Sequence, residues 1–317
     1  MATPLGTNVI NSLSSRYIMP MVTDNVYGSN LMLWRLLQLN KKVLQGGLHI
    51  EIPLDYAEIT NGAWYQGFEP WDIVPADTVK NAAYDWKQAV VPVSVDGFTL
   101  IRADSPDAIV NFLTFYFEKA QMQMCELLGD GIWNTGSNAK AIDGLEGAVD
   151  DGGVLATYGG LLRSSNTWWN CQDDASTATL TVDAMRTHLG NVTSGGRTCT
   201  IIVGTQANYN RFWSLSPIDN QRFMSDGARN TQLANAGFTN LLFDGIPFCV
   251  DSHVPANHIF FLNEDYIHLY VNPREDFTMR DFIEPVNQNA MTSVIKWTGN
   301  LCLSNVARQG KMSVLTA

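Results

Sequence analysis

A chain of 317 residues exceeds the size at which one hydrophobic core usually stops growing, so two linked cores are expected, and its 45% hydrophobic fraction excludes a disordered chain. Only 16% of the residues are charged, against roughly a quarter in soluble domains, so either neighbouring subunits cover part of the surface or Asn, Ser, Thr and Gln solvate it. A net charge of −11, with no Lys/Arg cluster longer than Lys41-Lys42, argues against tight nucleic-acid binding, which depends on cations neutralising phosphates.

The chain opens with a Ser/Asn-rich arm and a short apolar stretch, Leu31 to Leu39, of helical character that Gly46-Gly47 brings to an end. From Leu48 the period changes to two: Ile50, Ile52 and Leu54 alternate with polar residues, which predicts a strand. A second extended run, Val90 to Leu100, carries Pro92 and belongs at a sheet edge. Between the two lies ITNGAWYQGFEPWDIVPADTVKNAAYDWK, rich in Gly, Pro and aromatics, so the pair reads as an arm-like hairpin with a long tip. The strongest element follows. Ser105 is placed as N-cap, Pro106 at the first helical position and Asp107 in the first turn. Ile109, Phe112, Leu113, Tyr116, Ala120, Met124, Leu127 and Leu128 recur at helical spacing, and Gly129 is expected to stop the helix.

A Gly-rich belt runs on to Asn170, where tight turns are expected rather than regular structure. A short helix is predicted over Asp183 to Leu189, a buried strand over Thr198 to Val203 and a helix over Gln206 to Leu215. The stretch from Leu241 to Pro273 should form three short strands, broken near Asp244-Gly245, Pro255 and Asn263-Glu264. Two closing strands are predicted over Thr292 to Trp297 and Leu301 to Val306, which makes the class α+β with a projecting arm.

Motifs for catalysis or metal binding are weak. Cys249, His253 and His258 have a C-x3-H-x4-H spacing but no fourth soft ligand, so strand and turn residues are the better account. Glu118, Asp150-Asp151 and Asp173-Asp174 read as solvated helix-face and turn carboxylates, and Ser164 and Ser165 have no nearby His. The five cysteines, Cys125, Cys171, Cys199, Cys249 and Cys302, are scattered and never spaced as C-x-x-C, which fits a reducing compartment. The start lacks the pattern of a secretory signal, and no run of about eighteen apolar residues could span a membrane. The aromatics are more informative: Trp64, Tyr65, Phe68 and Trp71 at the arm tip, and Trp168-Trp169 in the belt, call for cover by the chain's own core or by a neighbouring subunit.

In order, these features resemble one family. The helix ending in LLGDG and the GLEG turn after it resemble the spine helix region of major capsid proteins of tailed bacteriophages. Phe243-Asp244-Gly245-Ile246-Pro247, then Val250-Asp251, then His258 to Asn263 are similar to that family's F-x-G-x-P-V … D … I-Y-F-L-N pattern. Trp297-Thr298-Gly299-Asn300-Leu301, with Asn305 and Arg308 beyond, is also similar. The resemblance covers about Asp104 to the C-terminus, and the strands before it suit the family's extended loop.

That resemblance implies the Hong Kong phage coat fold, shared with herpesvirus shell floors and encapsulins. It would divide the chain into an N-terminal arm (1–47), an extended loop (48–103), a peripheral domain (104–195) with spine helix 105–128 and the Gly-rich belt, an axial domain (196–272) and returning strands (273–317). The implied function is structural rather than enzymatic: an icosahedral virion shell, assembled in the host bacterial cytoplasm, that encloses double-stranded DNA without binding it specifically. Partners would be copies of the chain in pentamers and hexamers, with scaffolding, portal or decoration proteins as further candidates, and neither cofactor, metal nor membrane is implied. Trp64, Tyr65, Phe68 and Trp71 become candidate inter-subunit contacts. Some members cross-link an extended-loop lysine to a neighbour's asparagine; Lys80 and Lys87 lie in the matching region, but no acceptor aligns. An encapsulin-like cargo compartment and a cytoplasmic hydrolase or lyase with a non-local active site are the alternatives.

Overall fold

Residue Asn30 sets the start of helix α1 (Leu31–Leu39), because its side chain accepts from the Leu33 amide while Asp251 accepts from Met32. The computed structural model describes residues 30–59, 61–70, 77–98, 106–175, 179–193, 195–215 and 240–313. The helix stops at Asn40, well before Gly46-Gly47, because β1 (Lys41–Val43) departs to pair in parallel with Leu269 to Val271.

Strand β2 (His49–Asp55) alternates as predicted, with Ile50, Ile52 and Leu54 inward. Its hairpin partner, however, is β3 (Val79–Asp85), not the run at Val90. The pattern in VKNAAYD escapes notice because its inward residues are Ala82 and Tyr84 rather than β-branched ones. The run expected to complete the hairpin is β4 (Lys87–Asp96), which pairs over its whole length with a C-terminal strand and leaves its other edge, with Pro92, unpaired by any described strand.

Helix α2 (Pro106–Ile132) confirms the long spine but overruns the expected stop. The predicted cap Ser105 and the Phe112 side chain lie outside the described residues. The buried stripe is Leu113, Phe117, Ala120, Met124 and Leu128; Tyr116 and Leu127, expected on it, are exposed. Gly129 does not end the helix. A Cβ there would sit 2.2 Å from Asn30 Nδ2 and 2.9 Å from the His253 ring, so the glycine serves close approach. Gly129→Ala should gain about 1 kcal/mol of helix propensity, yet overpacking costs about 1–3 kcal/mol and displacing the Asn30 cap about 1 kcal/mol more. Net destabilisation is therefore expected, seen as a lower urea midpoint at unchanged m-value on dissociated subunits; a raised midpoint would show the contact to be dispensable.

The belt contains α3 (Leu145–Ala148), a small hairpin of β5 (Thr157–Tyr158) and β6 (Leu161–Leu162) turning on Gly159-Gly160, both with positive φ, a 3-10 turn at Thr167–Trp169, and β7 (Gln172–Asp174). Then come α4 (Val182–Val192), capped by Thr181, β8 (Ile201–Gly204) and α5 (Gln206–Leu215), the last with the bounds read from sequence. The next stretch gives four strands rather than three: β9 (Asn240–Phe243), β10 (Ile246–Val250), β11 (His258–Leu262) and β12 (Ile267–Val271). Asp244 and Gly245, both at positive φ, make the two-residue turn joining β9 to β10. After β13 (Thr278–Met279), the two predicted closing strands prove to be one, β14 (Ala290–Leu303), followed by β15 (Gly310–Ser313). Gly299 does not break β14. It admits Tyr270 O, which a Cβ would approach to 2.4 Å.

One sheet runs β1-β12-β14-β13 with β4 on the other edge of β14; a second runs β7-β15-β11-β8-β10-β9. The second is covered on both faces. Ile201, Val203, Phe260 and Leu262 point into a large cluster with α1, α2, the arm hairpin and the belt, whereas Ile202, Ile259 and Phe261 point into a smaller cluster with α4 and α5. That is why TIIVG and HIFFL read as unbroken apolar runs: the strand period of two sends alternate residues into two cores. No helix among the described residues is long and apolar enough to cross a membrane.

Candidate assembly surfaces

The arm is rooted firmly. Tyr84 Oη donates to the Leu303 carbonyl at 2.8 Å, Trp86 Nε1 donates to the Gly47 carbonyl at 3.0 Å, and the Ala83 amide donates to the Gly159 carbonyl at 2.9 Å. Asn300, fully buried in β14, uses its whole hydrogen-bonding capacity here. Its Nδ2 donates to Asp85 O and Asp143 Oδ2, each at 2.8 Å, and its Oδ1 accepts from the Asp143 and Leu301 amides. The W-T-G-N-L motif thus ties sheet, arm and belt together.

Beyond the paired part of the hairpin the apolar side chains lose their cover. Trp64 is 103% exposed, Phe68 106% and Tyr65 54%, with Ile59 exposed nearby. Trp71 lies outside the described residues. Three of the four candidate contact residues therefore share one tip, and Trp64 and Phe68 stand clear of the chain's own core. By sequence, residues 56–79 carry Glu58, Glu69, Asp72 and Asp77 and no Lys or Arg.

The belt aromatics take the first of the two kinds of cover expected for them, the chain's own core. Trp169 is buried and donates from Nε1 to the Tyr158 carbonyl at 3.1 Å, and Trp168 stacks on Tyr56 with centroids 5.4 Å apart. Each of the two arm lysines is engaged within the chain. Lys80 Nζ donates to Asn166 Oδ1 at 2.8 Å and sits 4.7 Å from the Tyr56 ring centroid; Lys87 Nζ donates to the Ala139 carbonyl at 2.8 Å. On the outer side of α2, Phe115 and Met122 are also exposed, a surface that the helical pattern did not flag.

The aspartates expected in solvated turns are instead partly structural. Asp150 is buried and accepts from the Gly152, Val154 and Leu155 amides, while Lys311 Nζ bridges it at 3.2 Å to Asp173 at 3.0 Å. Asp150, Asp151 and Asp173 bring their oxygens within 4.8 Å of one another, but Lys311 already supplies a cation to two of them. Burial pushes the Asp150 carboxyl up, but the three amides outweigh it and hold the pKa low; for Asp173 burial prevails. Lys311 was invisible as a partner because it lies 161 residues from Asp150.

The thiol and imidazole groups of the apparent zinc spacing take separate contacts. Cys249 is buried, its thiol pushed up to about 12 by that burial, and His258 lies 3.3 Å from Ser313 Oγ. His253 joins α2 to the loop after β10: Nε2 is 2.9 Å from Glu126 and 3.9 Å from Asp130, and Nδ1 is 3.4 Å from Asp251. Burial lowers the His253 pKa, but the Glu126 hydrogen bond and the charges of Asp251 and Glu126 outweigh it, and the net direction is up. A raised folded-state pKa gives stability that is complete below the ordinary imidazole value of about 6.5 and is lost as pH rises through the folded value. His188 and His268 act in reverse: burial pushes both down to about 4, so their contribution is complete above the ordinary value and lost as pH falls towards 4. Urea midpoints from acid to alkaline pH should therefore form a dome, and His253→Gln should flatten its alkaline side alone. An alkaline limb unchanged in that variant would remove His253 from the account.

No protein-family model matches the chain, and no curated protein matches it. Solved structures do. The chain is similar to a subunit in the capsid asymmetric unit of cyanophage A-1(L), with TM-score 0.62 and 15% identity over 87% of this chain and 90% of that one. It is similar to the capsid of a native GTA particle, with TM-score 0.61 and 10% identity over 89% and 90%. It is also similar to the holo-SrpI encapsulin complex of Synechococcus elongatus, with TM-score 0.54 and 10% identity over 99% and 91%. At these identities the likeness is one of fold. The chain has the α+β coat fold common to phage capsids and encapsulins, as its motifs led one to expect.

Proposed function

We propose that the chain is a shell-building subunit, the major capsid protein of a tailed bacteriophage, whose copies form pentamers and hexamers and close into an icosahedral virion shell. The observation that carries this reading is a coat fold over nearly the whole chain whose long arm ends in uncovered rings. Such a subunit works by many modest contacts under closed symmetry, with no reaction to catalyse, and its buried ionisable groups fit that role because Arg35–Glu264 and Lys311–Asp150–Asp173 are paired internally. Double-stranded DNA would be enclosed rather than gripped, since an acidic chain without basic clusters has little to hold phosphates with. Assembly would take place in the host cytoplasm, with scaffolding, portal or decoration proteins as further partners.

Within this reading, residues 1–47 are the arm, 48–103 the extended loop, and 104–195 the peripheral domain around α2. The axial domain, 196–272, is built on the smaller apolar cluster, which also takes in α4 and Met312. Residues 273–317 return through both. Sedimentation velocity with negative-stain electron microscopy of the purified chain tests the proposal: capsomers or shells of megadalton scale are expected. A monodisperse monomer at high concentration and moderate salt, with and without phage partner proteins, would sink it. The likeness to an encapsulin complex keeps a second reading beside it, a cargo compartment. Shells that carry a co-purifying protein through a C-terminal or N-terminal peptide, and no packaged DNA, would select it.

A further inference from the structure

At the root of the arm lies a cleft of about 170 Å³, between the last turns of α2, the start of β4 and the loop that follows α2. Leu127, Leu128, Ala89 and Ile142 line its floor, and Lys87 and Lys140 stand at it, with no carboxylate among its lining residues. In a chain with 31 acidic and 20 basic residues, two lysines at one apolar cleft are a local excess of positive charge, offset in part by Asp143, whose carboxylate interacts with Lys87 from beside Ile142. Lys87 spends one N–H on the Ala139 carbonyl and keeps two, while Lys140 is exposed. The arm tip is its complement: uncovered rings at Trp64 and Phe68, Glu69 beside Phe68, and no cation between residues 56 and 79.

We propose that the tip of one copy docks in this cleft on a second copy, with Phe68 on the apolar floor and the Glu69 carboxylate between Lys87 and Lys140. The inference rests on the shell-subunit reading and names the receiving surface within it. The tip of the same chain does not fill the cleft. In the β2–β3 hairpin His49 pairs Asp85 at the root and Asp55 pairs Val79 at the far end, a separation of about 20 Å for seven-residue strands. The cleft adjoins Lys87 at the root, the rings lie past Asp55, and both Trp64 and Phe68 are uncovered in the single chain. A contact between the tip of one copy and the root of the next uses two different patches. It is therefore heterologous, the kind that generates closed rings when the rotation permits. Burial of the ring supplies affinity, and the charges set register and encounter rate.

The test compares wild type with Lys140→Glu, Glu69→Lys and the charge-swapped double variant, each checked for folding by circular dichroism and then followed by light scattering and electron microscopy. Each single reversal should raise the subunit concentration needed for half-assembly by roughly tenfold, since it faces like charges across every copy of the contact. The double variant should recover part of the loss, because positions 69 and 140 attract again while Lys87 now faces the introduced cation. Lys140→Ala should fall between wild type and Lys140→Glu. Single variants that assemble like wild type, or a double variant no better than the singles, overturn the docking while leaving the shell reading intact. Wild-type protein that never oligomerises overturns both.

Discussion

Replacing residues 61–70 with a Gly/Ser linker of equal length is expected to leave a folded subunit that no longer closes into shells. Trp64 and Phe68 at the tip are fully uncovered, whereas the hairpin below them is anchored through Tyr84, Ala83 and Trp86. Trp64 and Phe68 would bury about 150–250 Å² each on a neighbour, a gross gain on the order of 8–12 kcal/mol at ~25 cal/mol per Å², with the exposed half of Tyr65 adding to it. Ordering the tip and losing subunit freedom cancel much of that, leaving a surplus of a few kcal/mol per contact. Repeated over a closed shell, that surplus decides between particles and free subunits. Trp64→Ala and Phe68→Ala should weaken assembly more than Lys80→Ala, because Lys80 is already engaged with Asn166 and Tyr56 of its own chain. Electron microscopy paired with circular dichroism separates the outcomes. Unfolding of the linker variant would place the tip in the core of its own subunit, and normal particles would show that the arm is no clasp.

Elements governed by neighbouring residues were legible in sequence. α1 and α5 have the bounds that were read, the Asp244-Gly245 turn lies where expected, and the apolar stripe of α2 was found apart from its margins. What failed depends on partners far along the chain. Gly129 looks like a stop and the closing strands were parted across Gly299, but one glycine makes room for Asn30 and His253 and the other for the Tyr270 carbonyl. Asp150 and Asp173 look like turn residues until Lys311 arrives from β15, the last described strand. β3 was missed because an inward Ala and Tyr carry little strand signal, so β4 was assigned its place in the hairpin. That rings gather at the arm tip was legible because they cluster in a segment whose Gly and Pro residues give it no regular structure. The cleft at the arm root was not, since α2, β4 and the loop meet only in the fold.

Arg35→Met should destabilise the subunit by about 3–5 kcal/mol, the usual cost of leaving one charge of a buried pair without its partner. The pair joins α1 to the turn between β11 and β12. Arg35 Nε donates to Glu264 Oε1 and Nη2 donates to Oε2 at 2.7 Å, with the side chains 0% and 5% exposed. Thr200 Oγ1 donates to the same carboxylate at 2.9 Å, and the Glu264 amide donates back to Thr200 at 3.1 Å. Removing Arg35 leaves a buried carboxylate with a single neutral side-chain donor, and water has no ready way in. The double variant Arg35→Met, Glu264→Leu removes both charges and keeps the volume apolar. Such replacements are often neutral or stabilising, and the Thr200 hydroxyl, which loses Glu264, keeps the Leu262 carbonyl at 3.4 Å as an acceptor, so its cost stays at or below about 1–3 kcal/mol. Urea unfolding of dissociated subunits should therefore place the double variant closer to wild type than Arg35→Met is. A single variant within about 1 kcal/mol of wild type would mean that Glu264 regains solvent on its own, as exposed ion pairs do. A double variant as unstable as the single would mean that Arg35 acts through the packing of its stem rather than its charge.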